Sequence, residues 1–259
     1  MTSNSLEAAK FIRDRILEMH RIGPNVGSAL SIADIVAVLA FAVMNTADDR
    51  LILSKGHGVS ALYAALALRG AVPTERLETY MKDAGLPGHP TVGTTSGIEW
   101  TTGSLGHGLA VGAGIAWAMT RRGEPGRVFV VLGDGECGEG AVWEAAAMAG
   151  RLRLANLVAV VDANGWQGYD RVPDVLPSGF IEGTFASAGW NVDQCDGHDH
   201  EALASVLAPR DQQAGPFAVI AKTVKGKGLP ELEDRLESHY FSITPAMLDA
   251  LRMEMDKSS

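Results

Sequence analysis

The sequence predicts an α/β fold, a parallel sheet with helices on both faces. Apolar runs of strand length lie at 127–132, 156–161 and 217–222, each bounded by polar residues, as expected of strands buried on both sides. Between them lie stretches of helical character, and strands that alternate with helices imply parallel pairing, because each crossover needs a helix to return.

The elements follow in chain order. Residues 6–21 form the first helix, since Leu6, Ala9, Phe11, Ile12, Ile16, Leu17 and Met19 fill one broad apolar face before Gly23-Pro24-Asn25 ends it. A second helix is expected over 31–44. Leu51-Ile52-Leu53 is a short strand that leads through Ser54-Lys55-Gly56-His57 into a helix over 57–68. Thr74, followed by Leu77 and Tyr80, marks a short helix with Thr74 as its N-cap. Residues 84–103 are rich in Gly, Pro and Thr without helical period, and a loop of that length in a compact domain is commonly functional. The next helix begins near Ser104 and carries Gly106, Gly108, Ala110, Gly112, Ala113, Gly114 and Ala116. Each glycine inside a helix costs about 1 kcal/mol against alanine, so tight packing on the sheet or on a partner subunit is expected to offset the run. Beyond the strand at 127–132 come a helix over 139–151, the strand at 156–161, a polar loop over 165–177 and a helix over 180–188. A strand over 190–194, a helix over 201–207 and the strand at 217–222 follow. Thr244-Pro245 opens a last helix to about Met255, a capping threonine with proline at the first helical position. With no internal repeat and no dividing linker, one domain over 1–259 is expected.

Hydrophobic residues make up 46% and charged residues 20% of 259, the balance of a soluble globular chain with a sizeable core. The net charge of −9 argues against a nucleic-acid or anionic-membrane surface. Met1 to Lys10 lacks an apolar signal core, and the most apolar stretch, 105–119, contains His107 and falls short of the about 20 residues that a spanning helix needs. Cys137 and Cys195 form neither a disulfide framework nor a metal-ligand pair; Cys137 reads as a packing residue, and the reducing cytoplasm is the expected location.

The chemistry lies where the strands stop. The run at 127–132 closes on Gly133-Asp134-Gly135, and the run at 156–161 ends in Asp162-Ala163-Asn164. Two strands thus bring a carboxylate and a carboxamide to one sheet edge. Hard oxygen ligands suit Mg²⁺ or Ca²⁺, and Mg²⁺ is usually held by one or two carboxylates together with substrate phosphates. The backbone N–H groups of Gly135 and the following turn lie near a helix N-terminus, where a phosphate binds well, and Gly133 and Gly135 are expected beside the cofactor. The constellation reads as a metal–diphosphate site.

This strand, Gly-Asp-Gly, helix, strand and asparagine unit resembles the thiamine-diphosphate motif. The resemblance implies Asp134 and Asn164 as metal ligands, Asn164 also beside the cofactor, with the backbone carbonyl of Trp166 completing the set. Further segments are similar to transketolase in order: Ser54-Lys55-Gly56-His57 with Ala61-Leu62-Tyr63-Ala64, Pro87-Gly88-His89-Pro90, Thr101-Thr102-Gly103-Ser104-Leu105-Gly106, Asp196-Gly197-His198-Asp199, Lys222-Thr223 with Gly226-Lys227-Gly228, and His239. The resemblance implies the thiamine-diphosphate-binding fold, with His57 on the diphosphate and the Gly103, Ser104 and Leu105 backbone on the aminopyrimidine ring. His89 and His239 would face the reacting hydroxyl and carbonyl oxygens. Glu139 and Glu144 would join an acidic connection between paired thiamine sites across a dimer. Their other reading is favourable charge near a helix N-terminus, and their spacing puts them on different faces. Lys225 and Lys227 form a basic loop, either a phosphate contact or a solvated turn.

The resemblance covers only the N-terminal, diphosphate-binding portion of transketolase. The pyrimidine-binding and C-terminal domains, with the glutamate that activates the cofactor, are expected on a second chain in an α2β2 assembly. Where transketolases read Gly-His-Pro-Gly, this chain reads Pro24-Asn25-Val26-Gly27, and Thr91 replaces an acidic residue. Asn25 hydrogen-bonds but cannot titrate near neutral pH, which marks it as a substrate-facing change. The expected activity is carbon-unit transfer from a ketose or other 2-oxo donor to an aldehyde acceptor. Its alternatives are acyloin formation from a 2-oxo acid such as pyruvate, and a non-catalytic scaffold; the joint presence of Asp134, Asn164, His57 and His89 speaks against the scaffold.

Overall fold

Five strands pair in parallel: β1 (Arg50–Leu53), β2 (Val128–Gly133), β3 (Leu157–Ala163), β4 (Asn191–Asp196) and β5 (Phe217–Lys222), in the order β1-β2-β3-β5-β4. The computed structural model describes residues 2–21, 23–209, 215–241, 243–244, 246–249 and 252. The central strands β2, β3 and β5 are almost wholly buried, which is why they read as continuous apolar runs. At the edge, β4 carries Asn191, Asp193, Gln194 and Asp196, polar side chains that discourage further pairing.

Alternation along the strands divides the core into two layers. Leu53, Phe129, Val131, Val160 and Val219 share one layer with helices α1 (Thr2–Met19), α2 (Val26–Ser31), α3 (Ala33–Val38) and α4 (Val59–Leu68). Ile52, Val130, Leu132, Val161 and Ile220 share the other with α5 (His107–Arg122), α6 (Gly140–Leu152) and α8 (Phe180–Ser187), which follows the one-turn α7 (Val172–Val175). Helix α9 (His200–Val206) returns to the first layer through Leu203. Helices therefore cover both faces, as expected. Among the described residues no helix is long and apolar enough to cross a membrane.

Several boundaries differ from expectation for local reasons. The helix expected over 31–44 is α2, α3 and a π-helical turn at Leu39–Val43, with a break at Ile32 (φ −96°, ψ 2°). It starts early because Asn25, at φ +76°, turns the chain and accepts from the Ser28 and Ala29 N–H groups at 3.1 and 3.2 Å. Thr74 is not an N-cap: Thr74–Thr79 is a 3₁₀ stretch entered from Pro73, without a side-chain cap. Helix α5 begins at His107 rather than near Ser104, because the Gly106 and Gly108 N–H groups are drawn to Glu136 and Ser54 at 2.8 and 3.2 Å. A Cβ on Gly108 or Gly112 would come within 2.4 Å of Ser54 or Val130, so these two glycines pack on the sheet, whereas Gly114 faces open space. The loop expected over 165–177 contains α7. Thr244 Oγ1 accepts the Met247 N–H at 3.4 Å, and residues 246–249 and 252 are helical; the rest of the last expected helix lies outside the described residues.

Candidate functional site

β1, β2, β3 and β5 all end at one edge of the sheet, and the residues at their C-terminal ends (Lys55, Asp134, Asp162 and Thr223) build the site there, where ligands of open parallel sheets bind. At its base Asp162 is fully buried. It accepts hydrogen bonds from the Lys55 ammonium and the Thr223 hydroxyl, from Ser31 Oγ at 2.7 Å and from Asn164 Nδ2 at 2.8 Å. Burial alone would raise its pKa, but the Lys55 charge and the donated hydrogen bonds hold it below the usual carboxylate range. With Nδ2 of Asn164 tied to Asp162, Oδ1 turns to the following loop and accepts the Trp166 N–H at 3.0 Å.

Asp134 stands beside this pair, also buried, accepting from the Gly135 N–H at 2.8 Å and the Gly165 N–H at 2.6 Å. Burial, and then the Asp162 charge, push its pKa up to about 7. The Lys55 charge offsets this only in part, and a divalent cation would favour the carboxylate further. The donors on the surrounding loops are the Asp134 carboxylate, the Asn164 carboxamide oxygen and the Trp166 carbonyl, a hard-oxygen set that fits Mg²⁺ or Ca²⁺.

Contrary to expectation, the N–H groups of the Gly-Asp-Gly turn do not stand open toward a phosphate: Gly133 donates to Glu136 Oε2 at 3.1 Å, Asp134 to the Asp162 carbonyl at 3.1 Å and Gly135 to Asp134 Oδ1 at 2.8 Å. Glu136 is a buried carboxylate that sequence reasoning passed over. It also accepts the Ser54 hydroxyl and the Gly106 N–H, so it joins three loops of the site, and burial raises its pKa despite those donors.

Lys225, His57 and His239 form a second cluster, with Lys225 within electrostatic reach of Asp134 and Asp162. Lys225 is 1% exposed, and its Nζ donates to His239 Nδ1 and to the Gln167 carbonyl, both at 3.3 Å. The rings of His57 and His239 lie 5.9 Å apart. Burial first, then the neighbouring Lys225 and Lys55 charges, lower His239 to about 4; burial and then Lys55, His239, Lys225 and His89 hold His57 well below its usual range. Lys225 itself falls to about 8 through burial and the Lys55 charge, against the pull of Asp134 and Asp162. Burial is the largest cause in all three, and the Lys55 charge adds to it in each. Gln167 Nε2, buried and without a hydrogen-bond partner, lies on the same loop as Trp166. Of the two basic-loop readings, the buried Lys225 fits phosphate contact, while Lys227 pairs with Glu233 at 3.6 Å near the surface.

The remaining expected residues divide. Gly56 and Gly103 make room for His89, since a Cβ on either would lie 3.2 or 3.4 Å from its Cδ2, and Thr102 Oγ1 ties this loop to the Leu53 carbonyl at 2.7 Å. Ser104 is exposed and Leu105 half-buried beside Gly103, so this turn lines the rim. The Asn25 N–H donates to the His239 carbonyl at 2.8 Å, which brings Asn25 to the site. Glu139 immediately precedes α6 and Glu144 lies within it; both are exposed and apart from the buried site, although Glu139 packs against Gly106.

Residues 14–256 match the family described as transketolase, thiamine diphosphate binding domain. The chain belongs to the transketolase family. It is 37% identical over 257 residues to the 6-deoxy-6-sulfo-D-fructose transketolase subunit of Clostridium sp. (strain MSTE9), covering 94% of both chains. It is 36% identical over 244 residues to an apulose-4-phosphate transketolase subunit of Actinobacillus succinogenes, covering 90% of this chain and 88% of that one. Its fold is similar to that of the Campylobacter jejuni transketolase, with a TM-score of 0.87 and 26% identity over 98% of this chain. The chain spans 42% of the length of that transketolase. Transketolases are transferases, and the two subunits named above match this chain nearly end to end.

Proposed function

We propose that this chain is the diphosphate-binding subunit of a two-component transketolase, active with a second subunit that carries the pyrimidine-binding and C-terminal domains. The observation that carries the reading is that Asp134, Asn164 and Trp166 gather at the same sheet edge as Lys225, His57 and His239, with Lys225 within electrostatic reach of Asp134. Asp134, Asn164 and Trp166 would hold Mg²⁺, and Lys225 and His57 the diphosphate. The Gly103, Ser104 and Leu105 turn would meet the aminopyrimidine ring. When bound, thiamine diphosphate supplies the electron sink that carbon–carbon bond cleavage and formation require. The protein supplies position and proton control. With Nδ1 of His239 accepting from Lys225, its proton sits on Nε2, so a neutral His239 can donate to a substrate oxygen; the exposed His89 stands at the entrance as a second donor or acceptor. Glu139, just before α6, and Glu144, within it, are exposed, and both would join the acidic connection to a second protomer in an α2β2 assembly. The expected setting is the cytoplasm.

Donor consumption is the direct test. The purified chain, given thiamine diphosphate, Mg²⁺ and a ketose donor, is expected to be silent until the second subunit is added, because the activating glutamate is expected there. Turnover by this chain alone would contradict the two-component reading.

The relatives named for 6-deoxy-6-sulfo-D-fructose and apulose-4-phosphate support a donor outside the usual xylulose and fructose phosphates. Asn25 is the residue proposed to carry that change. Asn and His are both favoured among non-glycine residues at positive φ, so Asn25→His tests the side chain rather than the turn. General acid–base help contributes about 10²–10⁴-fold, and part of it should return for donors that use an imidazole here. The ratio of kcat/KM between standard ketose phosphates and other donors is expected to rise in the variant. If wild type already prefers the standard donors and the ratio does not move, Asn25 has no role in specificity.

A further inference from the structure

The Asp196-Gly197-His198-Asp199 segment takes no part in the site as described, yet it braces the loop that carries Lys225. Asp196 Oδ1 accepts the His198 N–H at 2.8 Å, and Asp199 caps α9 by accepting from the Glu201 and Ala202 N–H groups at 2.9 and 3.0 Å. Gly197 lies so close to Thr223 that a Cβ would stand 2.4 Å from Thr223 Cγ2. Between these fixed points the His198 ring has two partners. Its Nε2 accepts the Val224 N–H at 2.9 Å, so the ring proton sits on Nδ1, 2.7 Å from Asp34 Oδ2. Asp34 is a rigid post: it is buried, and it is also bound by Arg13 and by His200 Nε2 at 2.9 Å, while His200 Nδ1 meets Ser5 Oγ at 2.8 Å. On either side of Val224 the loop is fastened to backbone, Thr223 N–H to the Ala163 carbonyl at 3.3 Å and Gly226 N–H to the Gly27 carbonyl at 3.0 Å. At Val224 itself the fastening is a side chain 26 residues away, one position before Lys225.

We propose that His198 is a positioning residue for Lys225, acting through the Val224 amide, with its tautomer set by Asp34. The cofactor half of this inference rests on the reading of Lys225 as a diphosphate contact. A chain of three hydrogen-bonded groups, from Asp34 through His198 to the Val224 amide, then sets where the ammonium stands.

Two substitutions separate the ring's two bonds. His198→Asn keeps an amide donor at the level of Nδ1 and removes the acceptor at Nε2; His198→Gln places an amide oxygen near Nε2 and restores the acceptor. In the cofactor-free chain, His198→Asn is expected to speed hydrogen exchange at the Val224 amide about tenfold, and His198→Gln to return most of the protection. In the reconstituted pair, His198→Asn should raise the KM for thiamine diphosphate about tenfold while kcat changes less than about twofold, the scale of one lost hydrogen bond. Lys225→Met should raise the same KM, and adding His198→Asn to it should raise it no further, since the two act through one group. A general loss of packing would instead be additive. Unchanged exchange at Val224 in His198→Asn overturns the brace, whatever happens to the cofactor. Faster exchange with additive effects, or with no change in KM while Lys225→Met raises it, overturns the link from the brace to Lys225. If Lys225→Met leaves KM unchanged, the diphosphate reading of Lys225 falls and takes the cofactor half of the inference with it, while the exchange result still decides the brace.

Discussion

Lys55→Met is expected to cost about 3 kcal/mol of stability. Lys55 and Asp162 are 1% and 0% exposed, and removing one partner of a buried ion pair typically costs about 3–5 kcal/mol because the other charge is stranded. Asp162 keeps its hydrogen bonds from Ser31, Thr223 and Asn164, which places the loss at the low end. For a chain of this size the change corresponds to a fall of about 6–12 °C in Tm. Urea unfolding should show a lower midpoint with an unchanged slope. Lys55→Met with Asp162→Asn should recover more than half of the loss, because no charge is then left unpaired. A loss below about 1 kcal/mol in the single variant would mean that the pair does not anchor the site.

Asp134→Ala is expected to act in the opposite place, on cofactor binding and hardly on the fold. Sites for Mg²⁺ rely on very few protein carboxylates, so removing the one at the strand end should weaken metal-dependent binding of thiamine diphosphate by about 3 kcal/mol or more, a factor above about 100. The metal-free fold responds differently. The Asp134 pKa is raised to about 7, above its unfolded value, so its charging weighs against folding as pH rises from the unfolded carboxylate range toward 7. Removing it relieves that burden and loses two hydrogen bonds from Gly135 and Gly165, and the two effects should balance to within about 1 kcal/mol. Calorimetry on the reconstituted pair, with and without Mg²⁺, measures the first effect, and denaturant unfolding of the chain alone the second. Unchanged metal-dependent affinity would remove Asp134 from the site.

The parallel sheet was legible because strands buried on both faces must be apolar throughout, and the run at 217–222 matches β5 residue for residue. β4 was harder to place because its edge position permits Asp193, Gln194 and Asp196, which do not look like a strand. Asp134 and Asn164 could be singled out as candidates because each punctuates the end of an apolar run. The long-range pairs that brace this edge of the sheet could not. Lys55 and Asp162 lie 107 residues apart, and Asp34 and His198 lie 164 apart, so no local pattern joins them. Glu136 hides inside a 3₁₀ turn without periodicity, and its partners Ser54 and Gly106 come from other loops. The start of α5 was misplaced for the same reason: a distant carboxylate, not a local cap, decides where it begins.

The central claim is that a metal ion and a diphosphate meet at the ends of β2 and β3. Mn²⁺ takes the same oxygen ligands as Mg²⁺ and scatters X-rays anomalously, so crystals of the reconstituted pair grown with Mn²⁺ and thiamine diphosphate test the claim at the atoms themselves. The expected result is one strong anomalous peak among the Asp134 carboxylate, the Asn164 carboxamide oxygen and the Trp166 carbonyl, with the diphosphate between that peak and Lys225, and no peak there in Asp134→Ala. A cofactor bound with its metal at any other place on this chain, or a peak that survives in Asp134→Ala, would contradict the account.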